Sequence, residues 1–152
     1  MVLRIVDRPG TGRGLVTEVP FGEGDVVARI HGHEYRTRPS RTTIQAAADR
    51  HIDNLRALAC LNHSCDPSVH VDVTALTVTA VRDLAAGDEL TFFYPSTEWA
   101  MAVPFDCACG GEGCLGRIDG AWHVPTAVLA RYHLNAHIRE LAAARDAAAG
   151  PL

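Results

Sequence analysis

The sequence predicts a mainly β fold with short helices, an α+β domain, and three observations predict it. Short apolar runs alternate with period two at Val69-His70-Val71-Asp72-Val73 and Leu76 to Val81. Gly- and Pro-containing turns separate these runs from one another. The sustained helical pattern is confined to the C-terminal end, from Pro125-Thr126 to about Ala149. A chain of 152 residues, 47% hydrophobic and 21% charged, can bury one core, so a single globular domain is expected.

Taken in order, Val2 to Val6 reads as an edge strand, and the glycines of Arg8 to Val16 read as a loop. That loop is no dinucleotide fingerprint, because no helical pattern follows Gly12-Arg13-Gly14. Glu18 to Asp25 turns into a strand at Val26 to Ile30. His31 to Tyr35 leads into a connection rich in Arg, Thr and Pro through Thr43, after which Gln45–Arg50 and Asp53–Leu61 each predict a helical turn. His31 and His33 lack a third ligand and are assigned no role.

Val69–Val73 and Leu76–Val81 form a hairpin about Thr74-Ala75, with one face buried. Leu84 to Asp88 is a turn, Glu89 to Tyr94 an aromatic strand, and Pro95 its stop. In the final helix Leu134, Ile138 and Leu141 share a stripe that would cover the sheet, and Gly150-Pro151 ends it. His133 and His137 sit four apart there without a carboxylate partner and are read as solvent-facing.

The net charge of −4 disfavours nucleic acid as the main partner. Every basic residue is Arg, and six of them (Arg29, Arg36, Arg38, Arg41, Arg50, Arg56) fall in one segment against three acids. Residues 83 to 119 reverse this, with seven acids against Arg117. That segment would attract a cationic substrate. No apolar run reaches the roughly 20 residues of a membrane span, and no signal peptide is recognised, so a cytoplasmic protein is expected.

Cysteine usage points to a metal. Cys107-Ala108-Cys109-Gly110-Gly111-Glu112-Gly113-Cys114 offers three thiolates from one loop whose glycines allow tight wrapping. Structural zinc needs a fourth ligand, and Cys65 is the candidate; Cys60, in an apolar run, reads as a small buried hydrophobe. An odd count of five cysteines with CxC spacing suits a reduced, metal-binding chain better than a disulfide framework.

Asn62-His63-Ser64-Cys65-Asp66-Pro67, Gly87-Asp88-Glu89-Leu90-Thr91-Phe92-Phe93-Tyr94 and Cys107 to Gly116 occur in that order. Together with Gly12-Arg13-Gly14 they resemble the motifs of SET-domain protein lysine methyltransferases, over about residues 3 to 118. The resemblance implies a SET domain at 1–106, a zinc-binding post-SET loop at 107–118 and a helical extension at 119–152. It implies small β-sheets around a knot-like crossing, where the Tyr94 strand passes a loop near Asn62. S-adenosylmethionine would be bound by Gly12, Arg13, Gly14, Asn62, His63 and Tyr94.

By the same resemblance Tyr94 is catalytic, Phe92 lines the lysine channel, and Tyr35 is the candidate for the channel tyrosine that the short insert before Asn62 does not obviously supply. A lysine-containing protein or peptide would be the substrate and one structural zinc ion the metal. Phe at position 92 goes with more than one methyl added. The sequence departs from the family's usual Asp at Phe93, Asn at Ser68 and Arg at Leu115. The alternative reading is an inactive, zinc-stabilised binding module that keeps the fold.

Overall fold

The computed structural model describes residues 2–10 and 12–150. Strands β1 (Leu3–Arg8) and β2 (Gly12–Thr17) form an antiparallel hairpin from Leu3↔Thr17 to Arg8↔Gly12. The Gly12–Val16 stretch, expected as a loop, is therefore strand. Gly10, at φ 82°, helps turn the hairpin, and β1, paired on one side only and with Arg4, Ile5 and Asp7 exposed, is an edge strand. Leu15 and Val16 of β2 are buried in the core.

Strand β3 (Val26–Arg29) joins the expected hairpin. Among the described residues the remaining strands are β4 (Glu34–Arg36), β5 (Ile44–Ala47), β6 (Arg50–Asp53), β7 (Asn62–His63), β8 (Val69–Asp72), β9 (Thr77–Ala80), β10 (Thr91–Phe92), β11 (Phe105–Asp106) and β12 (Arg117–Ile118). One sheet has the order β3-β9-β8. Its hairpin turn is fixed by Asp72, whose Oδ1 accepts the N–H groups of Thr74 and Ala75 at 2.9 and 2.8 Å. Val71 and Val78, directly paired, are fully buried.

A second sheet has the order β4-β6-β5. Here the expected helical turn over Gln45–Arg50 is corrected: the segment is two strands and their connection. Ile44 and Ile52 face each other across the ladder and both are buried, and that packing outweighs the helix propensity of Gln45-Ala46-Ala47-Ala48. The turn expected within Asp53–Leu61 is present as a 3-10 helix over Arg56–Cys60.

The pairing that shapes the site is short. β7 and β10 run parallel, Asn62 opposite Thr91 and His63 opposite Phe92, although β8 and β9 lie between them in sequence. The Ser64 N–H donates to Phe92 O, and the Ser68 N–H to Thr91 O. This is the crossing that the family resemblance implies. Beyond it Tyr94–Ser96 form a 3-10 turn, so Pro95 sits inside a turn that redirects the chain.

The C-terminal helix is also corrected. It is split into α1 (Thr126–Leu129) and α2 (Ala136–Ala149), with Asn135 between. Asn135 explains the break: its Nδ2 donates to Val71 O and Ser96 O while its Oδ1 accepts the Val73 N–H, binding sheet and Tyr94 turn together. Ile138 and Ala142 then pack with Phe93, Ala121, Val124 and Leu129 in a second core, separate from the main β core. Leu134 and Leu141 are only half-buried. Among the described residues no helix is long and apolar enough to cross a membrane.

Candidate active site

The glycines of β2 let a charged cluster approach the backbone. A Cβ at Gly14 would lie 2.9 Å from Glu89 Oε2 and 3.1 Å from Arg8 Cγ, closer than side chains pack. Glu89 accepts Arg8 Nε through Oε1 at 2.9 Å and Asn62 Nδ2 through Oε2 at 3.1 Å. Asn62 Nδ2 also donates to the Arg13 carbonyl at 2.8 Å. The Gly12–Gly14 strand and the Asn62 crossing are thus tied into one bank, presenting carboxylate and carbonyl acceptors beside bare backbone. Such a set fits a ligand that carries an ammonium group, as S-adenosylmethionine does.

Tyr94 opens the 3-10 turn that follows β10. Its hydroxyl donates to the Leu61 carbonyl at 2.6 Å, and its backbone N–H donates to His63 Nδ1 at 3.1 Å. Because Nδ1 accepts, the ring proton of His63 belongs on Nε2, which then donates to Cys65 Sγ at 3.3 Å. Burial pushes His63 down to about 4, so the imidazole is neutral near pH 7. Burial, with the Glu98 charge adding to it, pushes the Tyr94 phenol far above its usual range. Tyr94 is therefore a phenol and never a phenolate at working pH.

Three rings meet at that phenol: Phe92 at 4.7 Å, His63 at 5.3 Å and Phe105 at 5.9 Å between centroids. Phe105, which the sequence reading passed over, comes from β11 at the start of the cysteine loop. Tyr35 lies outside this group. It is exposed, meets His33 edge-on at 5.1 Å, and carries the Arg50 guanidinium over its ring at 4.4 Å.

Glu98 was also missed. It is 8% exposed, and its Oε2 accepts the Gln45 N–H at 2.9 Å and the Thr97 hydroxyl at 2.7 Å. Gln45 returns the contact, its Oε1 accepting the Trp99 N–H at 2.8 Å. Burial raises the carboxyl to about 7 against these two donors. Since the Glu98 N–H donates to the Tyr94 carbonyl, the clamp fastens the β5–β6 hairpin to the Tyr94 turn. The available signal was a lone acid immediately after a Pro-Ser-Thr turn, which on its own reads as solvated.

The four expected thiols converge. The Sγ atoms of Cys65, Cys107, Cys109 and Cys114 all lie within 4.8 Å of one another, with Cys65 and Cys107 4.0 Å apart. Tetrahedral zinc with Zn–S bonds of about 2.3 Å needs sulfurs about 3.8 Å apart, so the set fits the ion with small adjustment. The Leu115 N–H and His63 Nε2 point at Cys65 Sγ, donors suited to a thiolate. Without a metal, burial pushes the Cys65 thiol up to about 11. Cys60 is half-buried against the main core, away from this set.

The three departures from the family pattern have local reasons. Phe93 stacks on Tyr132 at 3.6 Å with the ring planes 2° apart, in the second core, and also meets the His63 ring at 5.7 Å. Leu115 packs on that same core. Ser68 is fully buried, donating to Glu89 O at 2.9 Å and accepting the Thr91 N–H at 2.9 Å. His133 is exposed, as expected, whereas His137 is buried with Nε2 2.7 Å from Thr97 O, which corrects its solvent-facing assignment.

The SET domain family model matches residues 12–95. Methyltransferase flvH of Aspergillus flavus is 44% identical over 112 residues, covering 72% of this chain and 63% of that protein. Histone-lysine N-methyltransferase met-2 of Caenorhabditis elegans is 42% identical over 69 residues, 38% of this chain and 5% of that protein. The chain thus spans less than two thirds of either relative. Among solved structures, KRYPTONITE in complex with mCHG DNA and SAH superposes with a TM-score of 0.59 at 18% identity, over 76% of this chain and 28% of that one.

Proposed function

Because this chain belongs to the SET domain family, we infer that its site transfers a methyl group from S-adenosylmethionine to the side-chain amine of a protein lysine. The observation that carries this reading is Tyr94: a phenol whose hydrogen is committed to the Leu61 carbonyl, set among Phe92, His63 and Phe105. S-adenosylmethionine, when bound, supplies an electrophilic methyl on a positively charged sulfonium. Arg13, Gly14, Asn62 and Glu89 form the bank that would hold it, with Gly12 leaving the backbone open beside them.

A lysine amine has an ordinary pKa near 10.4, so at pH 7 only about one in two thousand is neutral, a handicap of roughly 4.6 kcal/mol. Phe92 and Phe105 work against the ammonium by removing water from its channel. With its hydrogen on Leu61, the Tyr94 oxygen keeps lone pairs with which to accept an N–H of the incoming amine and align its attack. Tyr94 does not serve as the base, because its phenol titrates far above neutrality.

The zinc site supports the same reading from the side. Cys65 lies in the crossing and Phe105 just before Cys107, so a metal held by the four thiolates would fix one wall of the channel against the Asn62-His63 segment. Incubation of zinc-replete protein with methyl-labelled S-adenosylmethionine and a cell lysate tests the function. Label on lysine, located by mass spectrometry, is the expected result. Saturable cofactor binding with no acceptor labelled would favour the inactive module.

A further inference from the structure

The β4-β6-β5 sheet carries charge against the trend of the chain. Arg38, Arg41 and Arg50 are all exposed and make no ion pair among the described residues, whereas Arg36 is matched by Glu34 at 2.8 Å and Asp53 at 3.0 Å. Between residues 37 and 50 the one acid is Asp49. This local excess of positive charge sits on a protein of net charge −4.

Its place in the fold matters more than its sum. β5 runs antiparallel to β6, with Ala47 beside Arg50 and Ile44 beside Ile52. β4 ends with Arg36 beside His51, near the Arg50 end of β6. The 37–43 connection therefore crosses the sheet from the Arg50 end to the Ile44 end, carrying Arg38 and then Arg41 with it. That far end is clamped to the Tyr94 turn by the Gln45–Glu98 pair. The Arg41 guanidinium is felt at the Tyr94 phenol itself, where it partly opposes the upward push of burial and Glu98. At the other end Arg50 lies over the exposed ring of Tyr35.

We propose that this arginine bank, with Arg41 toward the end clamped to the Tyr94 turn, selects a lysine set in an acidic peptide segment. The inference rests on the lysine-methylating reading and adds the class of substrate to it. An aspartate or glutamate next to the lysine meets unpaired guanidinium groups, which bind carboxylates in bidentate fashion, while a basic flank meets like charge. The acceptor cluster around Glu89 is tied instead to Arg8, Gly14 and Asn62, the bank assigned above to the cofactor's ammonium, so the two charge signs serve different ligands.

Three synthetic peptides test this, identical except that the residues flanking one central lysine are Glu/Asp, Ser or Arg. The acidic peptide should show kcat/KM about tenfold or more above the basic one at low salt, the gap closing as ionic strength rises from about 50 to 300 mM. Arg41→Glu should erase or invert the preference while leaving S-adenosylmethionine affinity unchanged. The same peptides with norleucine replacing lysine, followed by fluorescence anisotropy on cofactor-loaded protein, report docking without turnover.

Tighter binding of the acidic norleucine peptide together with no methylation of any lysine peptide would retire the methyl-transfer reading and leave the arginine bank as a docking surface. Equal binding of the three peptides, a preference for the basic one, or a preference that survives Arg41→Glu overturns the proposal.

Discussion

The Glu98 carboxylate accepts the backbone N–H of Gln45, 53 positions earlier in the chain, at 2.9 Å, from a site where it is almost wholly buried. Burial raises its pKa to about 7, above an ordinary value of 4.5, so the folded protein holds this proton longer than the unfolded chain does. The sign follows: stability contributed at this position is greatest below pH 4.5 and declines as pH rises to 7. Glu98→Gln keeps an oxygen for both donors and removes the titration. Wild type should therefore lose up to about 3 kcal/mol relative to this variant between pH 4.5 and 7. Denaturant melts of both proteins across that range check it, and parallel curves would refute it.

Tyr94→Phe should lower methyl transfer by about a hundredfold or more if, as proposed, its hydroxyl acts at the reacting centre. Cofactor affinity, by contrast, should stay within about twofold, since the backbone N–H that Tyr94 gives to His63 survives the change. Isothermal titration with S-adenosylmethionine beside a rate assay separates the two. Full activity in the variant would remove Tyr94 from the chemistry.

Any one of Cys65→Ser, Cys107→Ser, Cys109→Ser or Cys114→Ser should bring zinc well below one ion per chain and loosen the loop that carries Phe105. Cys60→Ser should leave metal content untouched, because that thiol packs on the main core instead. Elemental analysis of protein purified without chelators reads both.

Gly14→Ala places a methyl 2.9 Å from Glu89 Oε2, so the cluster of Arg8, Glu89 and Asn62 must shift. Cofactor affinity should fall about tenfold or more, on the order of 1.4 kcal/mol. Gly12→Ala meets no neighbour within 4 Å, but at φ 85° it strains the backbone, so its cost should appear in stability as well. Comparison of cofactor titrations and melting temperatures for the two variants distinguishes displacement from strain.

The β3-β9-β8 hairpin face and the cysteine cluster were legible because each depends on local pattern: alternation for Val69–Asp72 and Thr77–Ala80, ligand chemistry for the thiols. The second strand pair was not, since Ile44 and Ile52 acquire their roles only by facing each other. Phe105, Glu98 and Gln45 escaped notice for the same reason: Phe105 meets His63, and Gln45 meets Glu98, only across tens of residues, and no spacing rule links them. Asn135 read as helix interior, yet its three bonds to β8, Val73 and the Tyr94 turn require it outside one. The pairing of Asn62-His63 with Thr91-Phe92 was accessible only through the family resemblance, because a two-residue parallel ladder leaves no periodic trace.

The last prediction concerns the protein's own chain, in which all basic residues are arginine and none is lysine. A channel that works by desolvating an ammonium frees a lysine amine, whereas a guanidinium keeps its proton to a pKa above about 12 and gains little from it. Incubated alone with methyl-labelled S-adenosylmethionine, the protein should take up no label on any internal side chain. Label should appear only when a lysine-containing partner is added, and with Phe92 in the channel the product should carry two or three methyls. Stable label on an internal arginine or histidine would show that the site accepts a different nucleophile, and the lysine reading would have to be given up.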